Sequence, residues 1–299
     1  MALGIGVLIT ERLACAAVSD TDVAGLVCVD PEDSAIKDSL QGVPAEQIIE
    51  RLVQQIRTLQ LSDTPAYLGI GMPGIVRNGY VQDSPNLVQF KGFNMQASLS
   101  EALKPVFGSR LHVAVFNDAD VMAAGIAAKR GHLDRLIRVW TLGTGIGYGR
   151  YPFQDGVWEA GHSVVSLDPK ERYCGCGGTG HLEGIMGHRA MRLRFMDLEP
   201  DEIFEHAQEG EGRCVDFVKL WHRALAAATA TVIHLDGAGK FFVTGPNSRF
   251  VNPTLVSEYL HEMVKLSPLQ SYSIEVVPGG EAVAVIGAAV NAAQAAGLG

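Results

Sequence analysis

Apolar residues fall along this chain in two alternating rhythms. Residues 3–9 and 13–18 are short apolar runs separated by Thr10, Glu11 and Arg12, and with 25–29 they predict a meander of two or three strands. In residues 44–60 the apolar positions are Ile48, Ile49, Leu52, Val53, Ile56 and Leu59, a helical spacing with Pro44 near the first turn. Residues 66–70 predict a buried strand, 97–107 a helix, 112–116 a strand and 121–128 an Ala-rich helix. The second half repeats the alternation. Strands are predicted at 136–142, 240–244 and 273–277, and helices at 216–234, 252–265 and 282–296. Strands alternating with helices imply an α/β architecture with ligand loops at the carboxyl ends of strands. The stretch 150–185 breaks the rhythm and is rich in Gly, His and Cys, as functional loops often are.

Length and composition narrow the classes. The 299 residues are 47% hydrophobic and 19% charged, which is globular composition and not that of a disordered chain. The formal net charge of −9 argues against a general nucleic-acid binder. No run of apolar residues is long enough to predict a membrane span, and the apolar start lacks the basic flank of a signal peptide. Five cysteines do not make a disulfide framework, so a reducing, cytoplasmic setting is expected.

Four constellations carry chemistry. His162, Cys174, Cys176 and His181 are zinc-ligand types, and the glycines around the cysteines let the chain fold back on a metal. The plain alternative is two free thiols and two surface histidines. Asn117-Asp118 ends a strand. Asp118 could accept a hydroxyl proton during phosphoryl transfer, or the pair could simply cap the next helix. Gly143-Thr144-Gly145-Ile146-Gly147 follows a strand and is either a phosphate-approaching loop or a glycine-rich hairpin, and Thr244-Gly245-Pro246-Asn247 is a similar strand-end turn. Glu159, His162 and Glu183 could together grip sugar hydroxyls, or be solvated loop charges.

In order and spacing these segments resemble the ROK family of sugar kinases and sugar-responsive repressors. The resemblance is carried by GMPGIV at 71–76, SPNL at 84–87, FNDAD at 116–120, TLGTGIGYG at 141–149, EAGH at 159–162, CGCGGTGHLE at 174–183, VTGPNS at 243–248 and IGAAV at 286–290. It implies a two-lobed actin/hexokinase-like (ribonuclease H-like) α/β fold with a zinc loop. Lobes of 1–117 and 118–282 are expected, with the helix at 283–299 packing back on the first. The resemblance also implies ATP-dependent phosphorylation of a hexose or N-acetylhexosamine. Asp118 would be the base, and Asn117, Asp118, Glu159, His162 and Glu183 would contact sugar. Thr10, Gly143, Thr144, Gly145 and Gly245 would line the nucleotide side, and His162, Cys174, Cys176 and His181 would hold structural zinc. ATP with Mg²⁺ and a homodimer follow from the same likeness.

Three departures stand out. His181 replaces the family's third zinc cysteine, and Trp158 replaces a glycine beside Glu159. The family's opening Asp-x-Gly-Gly-Thr turn reads Gly6-Val7-Leu8-Ile9-Thr10 here, without its aspartate or turn glycines, leaving Glu11 as the nearest carboxylate. That loss raises a second expectation, a sugar-binding sensor or partner subunit that no longer uses ATP. A repressor is disfavoured, because the first strand starts at once with no room for a winged helix.

Overall fold

The structure is a computed structural model that describes residues 3–33, 36, 39–156, 159–267 and 270–298. Two compact units emerge: residues 1–137, 149–157 and 279–299 form one, and 138–148 with 158–278 form the other.

The first unit is built on strand β1 (Gly4–Ile9), which is buried at every position. Strand β2 (Leu13–Ser19) pairs antiparallel with it, from Gly4↔Val18 to Ile9↔Leu13, and two short strands, β3 (Asp22–Val23) and β4 (Cys28–Asp30), extend the sheet beyond β2. Helix α1 (Ala45–Arg57) buries Ile48, Leu52 and Ile56 completely, the face its spacing predicts. Strand β5 (Tyr67–Met72) then lies parallel to β1. A separate three-stranded sheet of β6 (Ile75–Arg77), β7 (Tyr80–Asp83) and β8 (Phe93–Asn94) precedes helix α2 (Met95–Phe107). The Asn94 side chain caps α2 by accepting from the Ala97 amide at 2.9 Å. Strand β9 (His112–Asn117) joins β5 in parallel and runs straight into helix α3 (Asp118–Lys129).

The C-terminal helix (Glu281–Ala295) packs on α3 and on the buried strands of this unit. Its approach to α3 is too close for side chains. A Cβ at Gly287 would lie 1.7 Å from the Val121 carbonyl oxygen, and one at Gly125 would lie 1.9 Å from that of Val283. The Ala-rich sequences of both helices serve this crossing. It also gathers 118–137 with the first unit, whereas the sequence expectation assigns 118 onward to the second lobe.

The second unit carries most of a four-stranded sheet of order β11-β10-β12-β13, and the end of β11 from Gly149 belongs to the first unit. The sheet's first two strands are β10 (Ile137–Leu142) and β11 (Ile146–Tyr151), separated by the glycine loop. Helices α4 (Leu182–Met186), α5 (His188–Arg194), α6 (Pro200–Gln208) and the 25-residue α7 (Gly212–Asp236) follow. Strand β12 (Lys240–Thr244), helix α8 (Pro253–Met263) and strand β13 (Ser273–Val276), parallel to β12, complete it. Trp140 and Trp221 are buried in its core, and each indole N–H finds an acceptor, Thr229 Oγ1 at 3.1 Å and the Met186 carbonyl at 3.4 Å. Arg138 is also buried, and it donates to the Asp236 carboxylate at 3.0 Å. Among the described residues no helix is long and apolar enough to cross a membrane.

Candidate active site and metal turn

Asn117 ends β9, and its two side-chain atoms do two jobs. Its Oδ1 accepts the Ala119 amide at 2.8 Å and caps α3, while its Nδ2 donates to the Gly74 carbonyl at 2.9 Å. The capping alternative for the Asn117-Asp118 pair is therefore realised by Asn117. It starts α3 so that Asp118 stands on the first turn, half-buried, its Oδ1 also accepting from the Ala119 amide at 2.9 Å.

In the second unit the glycine loop joins β10 to β11. The Gly143 amide donates to the Gly145 carbonyl at 3.0 Å, so the loop is a tight turn between sheet neighbours. The Gly143 carbonyl accepts from the His188 amide and from Asn247 Nδ2, both at 3.0 Å. Asn247 is 1% exposed and follows Gly245, which ends β12 with φ of 93°. The structure thus ties together the two turns expected on the nucleotide side. Thr144 lines a cleft of about 700 Å³ that Arg189 and Arg192 share with Asp197, Glu199 and Glu202, Arg192 being paired with Glu199 at 3.1 Å. The sequence reading gave no role to Asn247 or to the α5 cations. Asn247 lay in plain view two positions after Gly245, but a buried side-chain amide is recognisable only from its tertiary partner.

Glu183, on the first turn of α4, faces two ways. One oxygen accepts the Ile146 amide at 3.2 Å and the other lies 3.4 Å from Cys174 Sγ and 3.8 Å from His162 Nε2. A Cβ at Gly145 would stand 2.6 Å from the Glu183 carboxylate, so the loop glycine makes room for it. His162 Nδ1 lies 4.0 Å from the exposed carboxylate of Glu159. Glu159, His162 and Glu183 therefore form one polar group. Trp158 lies outside the described residues.

Three of the four expected metal ligands also converge. The ligand atoms of His162, Cys174 and Cys176 all lie within 4.8 Å of one another. The two sulfurs are 3.3 Å apart, His181 Nδ1 lies 3.2 Å from Cys176 Sγ, and the His162 and His181 rings stack at 5.5 Å. A tetrahedral zinc with Zn–S near 2.3 Å and Zn–N near 2.0 Å has ligand–ligand edges of roughly 3.3–3.8 Å. The donor types and spacings of His162, Cys174 and Cys176 fit that ion, while His181 stands beside Cys176 outside this group of three. Burial pushes the Cys174 thiol up to about 12, with the Glu183 carboxylate adding to the rise, so metal binding would displace its proton.

Thr10 behaves differently from the other expected residues. Its amide donates to the Arg12 carbonyl at 3.2 Å across the β1–β2 turn. Arg12 is tied to Glu281 of the C-terminal helix at 2.5 Å and to the Pro31 and Glu32 carbonyls at 3.4 and 3.3 Å. The Glu11 carbonyl accepts from Ser39 Oγ at 2.8 Å, and Leu8 and Ile9 are buried. The turn is closed on protein partners, and Thr10 does not direct its amide outward.

Comparison with known proteins completes the description. The sequence model of the ROK family matches residues 23–295. A glucokinase of Pyrobaculum calidifontis is 32% identical over 181 residues, 56% of this chain and 58% of that protein. The chain thus matches little more than half the length of this curated relative. The ROK hexokinase of Thermus thermophilus has the same fold, with a TM-score of 0.79 at 19% identity over 99% of this chain and 100% of that one. A ROK family glucokinase from Streptomyces griseus, solved with glucose and AMPPNP, superposes with a TM-score of 0.65 at 22% identity, covering 98% and 99% of the two chains. The α/β architecture is that of the actin-like, two-lobed sugar kinases, and the chain belongs to the ROK family.

Proposed function

We propose that the chain is an ATP-dependent kinase for a hexose or N-acetylhexosamine. The observation that carries this reading is Glu183, whose carboxylate touches the glycine loop through the Ile146 amide and the metal turn through Cys174 and His162. A carboxylate is an acceptor only, suited to sugar hydroxyl donors, and this one stands beside a loop of phosphate-binding type. Glucokinase relatives support the same substrate class.

In this reading Glu159, His162, Glu183 and Asn117 hold the sugar hydroxyls. Asp118 accepts the proton of the reacting hydroxyl as its oxygen attacks the terminal phosphorus of ATP. The bond from that phosphorus to the bridging oxygen breaks, and ADP leaves. Gly143, Thr144 and Gly145 approach the phosphates, with Gly245 on the nucleotide side. In the cleft beside Thr144, which also holds Asp197, Glu199 and Glu202, Arg189 offers a cationic side chain to an anionic donor. Zinc held by His162, Cys174, Cys176 and His181 would supply structure, keeping His162 and the Glu183 turn in register. A cytoplasmic location and a homodimer, the family's common state, accompany this reading.

A second reading has its own observation. The β1–β2 turn lacks a carboxylate at the family's aspartate position and spends the Thr10 amide on Arg12, so a sugar-binding protein without ATP use is the alternative. Isothermal titration with Mg²⁺–ATP, with and without hexoses and N-acetylhexosamines, separates the two. ATP binding that tightens with sugar supports the kinase. Sugar binding with no ATP heat supports the alternative.

A further inference from the structure

Asp120 lies two positions beyond Asp118 on the first turn of α3 and is only 5% exposed. Its Oδ1 accepts the backbone amide of Arg150, in β11, at 3.1 Å. The strand reaches this turn because residue 149 is glycine: a Cβ there would lie 1.9 Å from the Ala119 carbonyl oxygen and 2.7 Å from the Asp120 amide. A buried carboxylate held by one backbone N–H is costly to ionise, and carboxylates perturbed in this way cluster at functional sites. The charged groups acting on it are Asp118 on its own helix and the Arg150 guanidinium from β11, while the C-terminal helix, β5 and β9, which also pack on α3, contribute none.

We propose that Asp120 is the positioning residue for Asp118, clamping the end of β11 to the first turn of α3 and setting a second, buried carboxylate beside the base. This rests on the kinase reading for its catalytic consequence, though not for the pairing itself. Burial, and then the Asp118 charge, push the Asp120 carboxyl up to about 7, against the backbone hydrogen bond and the Arg150 charge. Near neutral pH the inner carboxylate therefore gains its charge. Ionised, it makes Asp118 a better proton acceptor, and protonated it does not.

The sign for stability follows from linkage. The folded chain holds the Asp120 proton to about pH 7, whereas the unfolded chain releases it near pH 4. This group's contribution to stability is fully present below about pH 4, falls as pH rises, and is lost above about pH 7. Asp120→Asn keeps an acceptor for the Arg150 amide and removes the titration. Its melting temperature relative to the native chain should climb between about pH 4 and 7 and level off above. In Asp118→Asn the loss should be smaller and complete at a lower pH, because the neighbouring charge is gone.

Both melting series need no turnover, so they test the pairing even if no sugar is phosphorylated, in which case only the kinase reading fails. With turnover, the native chain should show a kcat limb near pH 7 that is absent in Asp120→Asn, with sugar KM within about twofold. Asp120→Ala, which also removes the Arg150 acceptor, should lower kcat at least tenfold at every pH. A flat melting difference between Asp120→Asn and the native chain, or an unchanged kcat limb in that variant, would overturn the proposal.

Discussion

The Glu183 carboxylate accepts the Ile146 amide hydrogen at 3.2 Å, and this one bond fastens the start of α4 to the glycine loop. Because the other oxygen faces Cys174 and His162, the metal turn, the sugar-contacting group and the loop share a single side chain. Glu183→Gln keeps an acceptor for Ile146 but loses the charge. It should raise sugar KM by about tenfold, the cost of about 1.4 kcal/mol in one charge-assisted hydrogen bond. Glu183→Ala should cost more and also loosen the loop. Steady-state kinetics of both variants with the best sugar check this.

One zinc per chain is expected in protein purified without chelators, measured by elemental analysis. Cys176→Ser should lose the metal, lower the melting temperature and weaken sugar binding together, because His162 belongs to both the ligand set and the polar group. Readdition of zinc to chelated native protein should restore sugar binding. A chelated protein that binds sugar unchanged would separate the turn from the site.

Arg189 lines the cleft beside Thr144, and a Cβ at Gly175 would stand 3.0 Å from its Nη1. Arg189→Ala should raise the KM for ATP by about tenfold through loss of the cation beside Thr144, while sugar KM stays within about twofold. Equal effects on both substrates would mean that the side chain supports the metal turn and not the donor.

The helix crossing of α3 with the C-terminal helix should be intolerant of volume. Gly287→Ala drives a methyl to within 1.7 Å of the Val121 carbonyl oxygen and should cost about 3 kcal/mol or more. Ala288 stands next to it and is an internal control for position; Ala288→Gly should cost about 1 kcal/mol, a helix-propensity effect. Urea unfolding of the two variants gives both numbers.

These relationships divide by how local their causes are. Helix α1 was legible because Ile48, Leu52 and Ile56 repeat at helical spacing, and β1, β5 and β12 because buried strands read as continuous apolar runs. Helices α4 to α6 were not, since 182–208 mixes short helices with glycine, proline and charge and shows no sustained period. The sheet of β6, β7 and β8 has strands of two to four residues, below what alternation can reveal. At the site, the convergence of His162, Cys174 and Cys176, with His181 beside Cys176, follows from ligand chemistry written in sequence order. Asn247 and Asp120 owe their placement to partners 104 and 30 residues away, Gly143 and Arg150 in turn, which no local pattern announces. The division at 117/118 follows the sequence motif, whereas the packing of α3 follows Gly125 and Gly287, glycines that read locally as weak helix positions.

The central claim is phosphoryl transfer with Asp118 as base. The most direct test is ³¹P NMR of the native chain and Asp118→Asn incubated with Mg²⁺–ATP and a panel of hexoses and N-acetylhexosamines. The account predicts a sugar phosphate and stoichiometric ADP from the native chain with at least one sugar, and at least a hundredfold slower formation by Asp118→Asn with sugar binding retained. No sugar phosphate from the native chain with any sugar it binds, or an unimpaired Asp118→Asn, would contradict it.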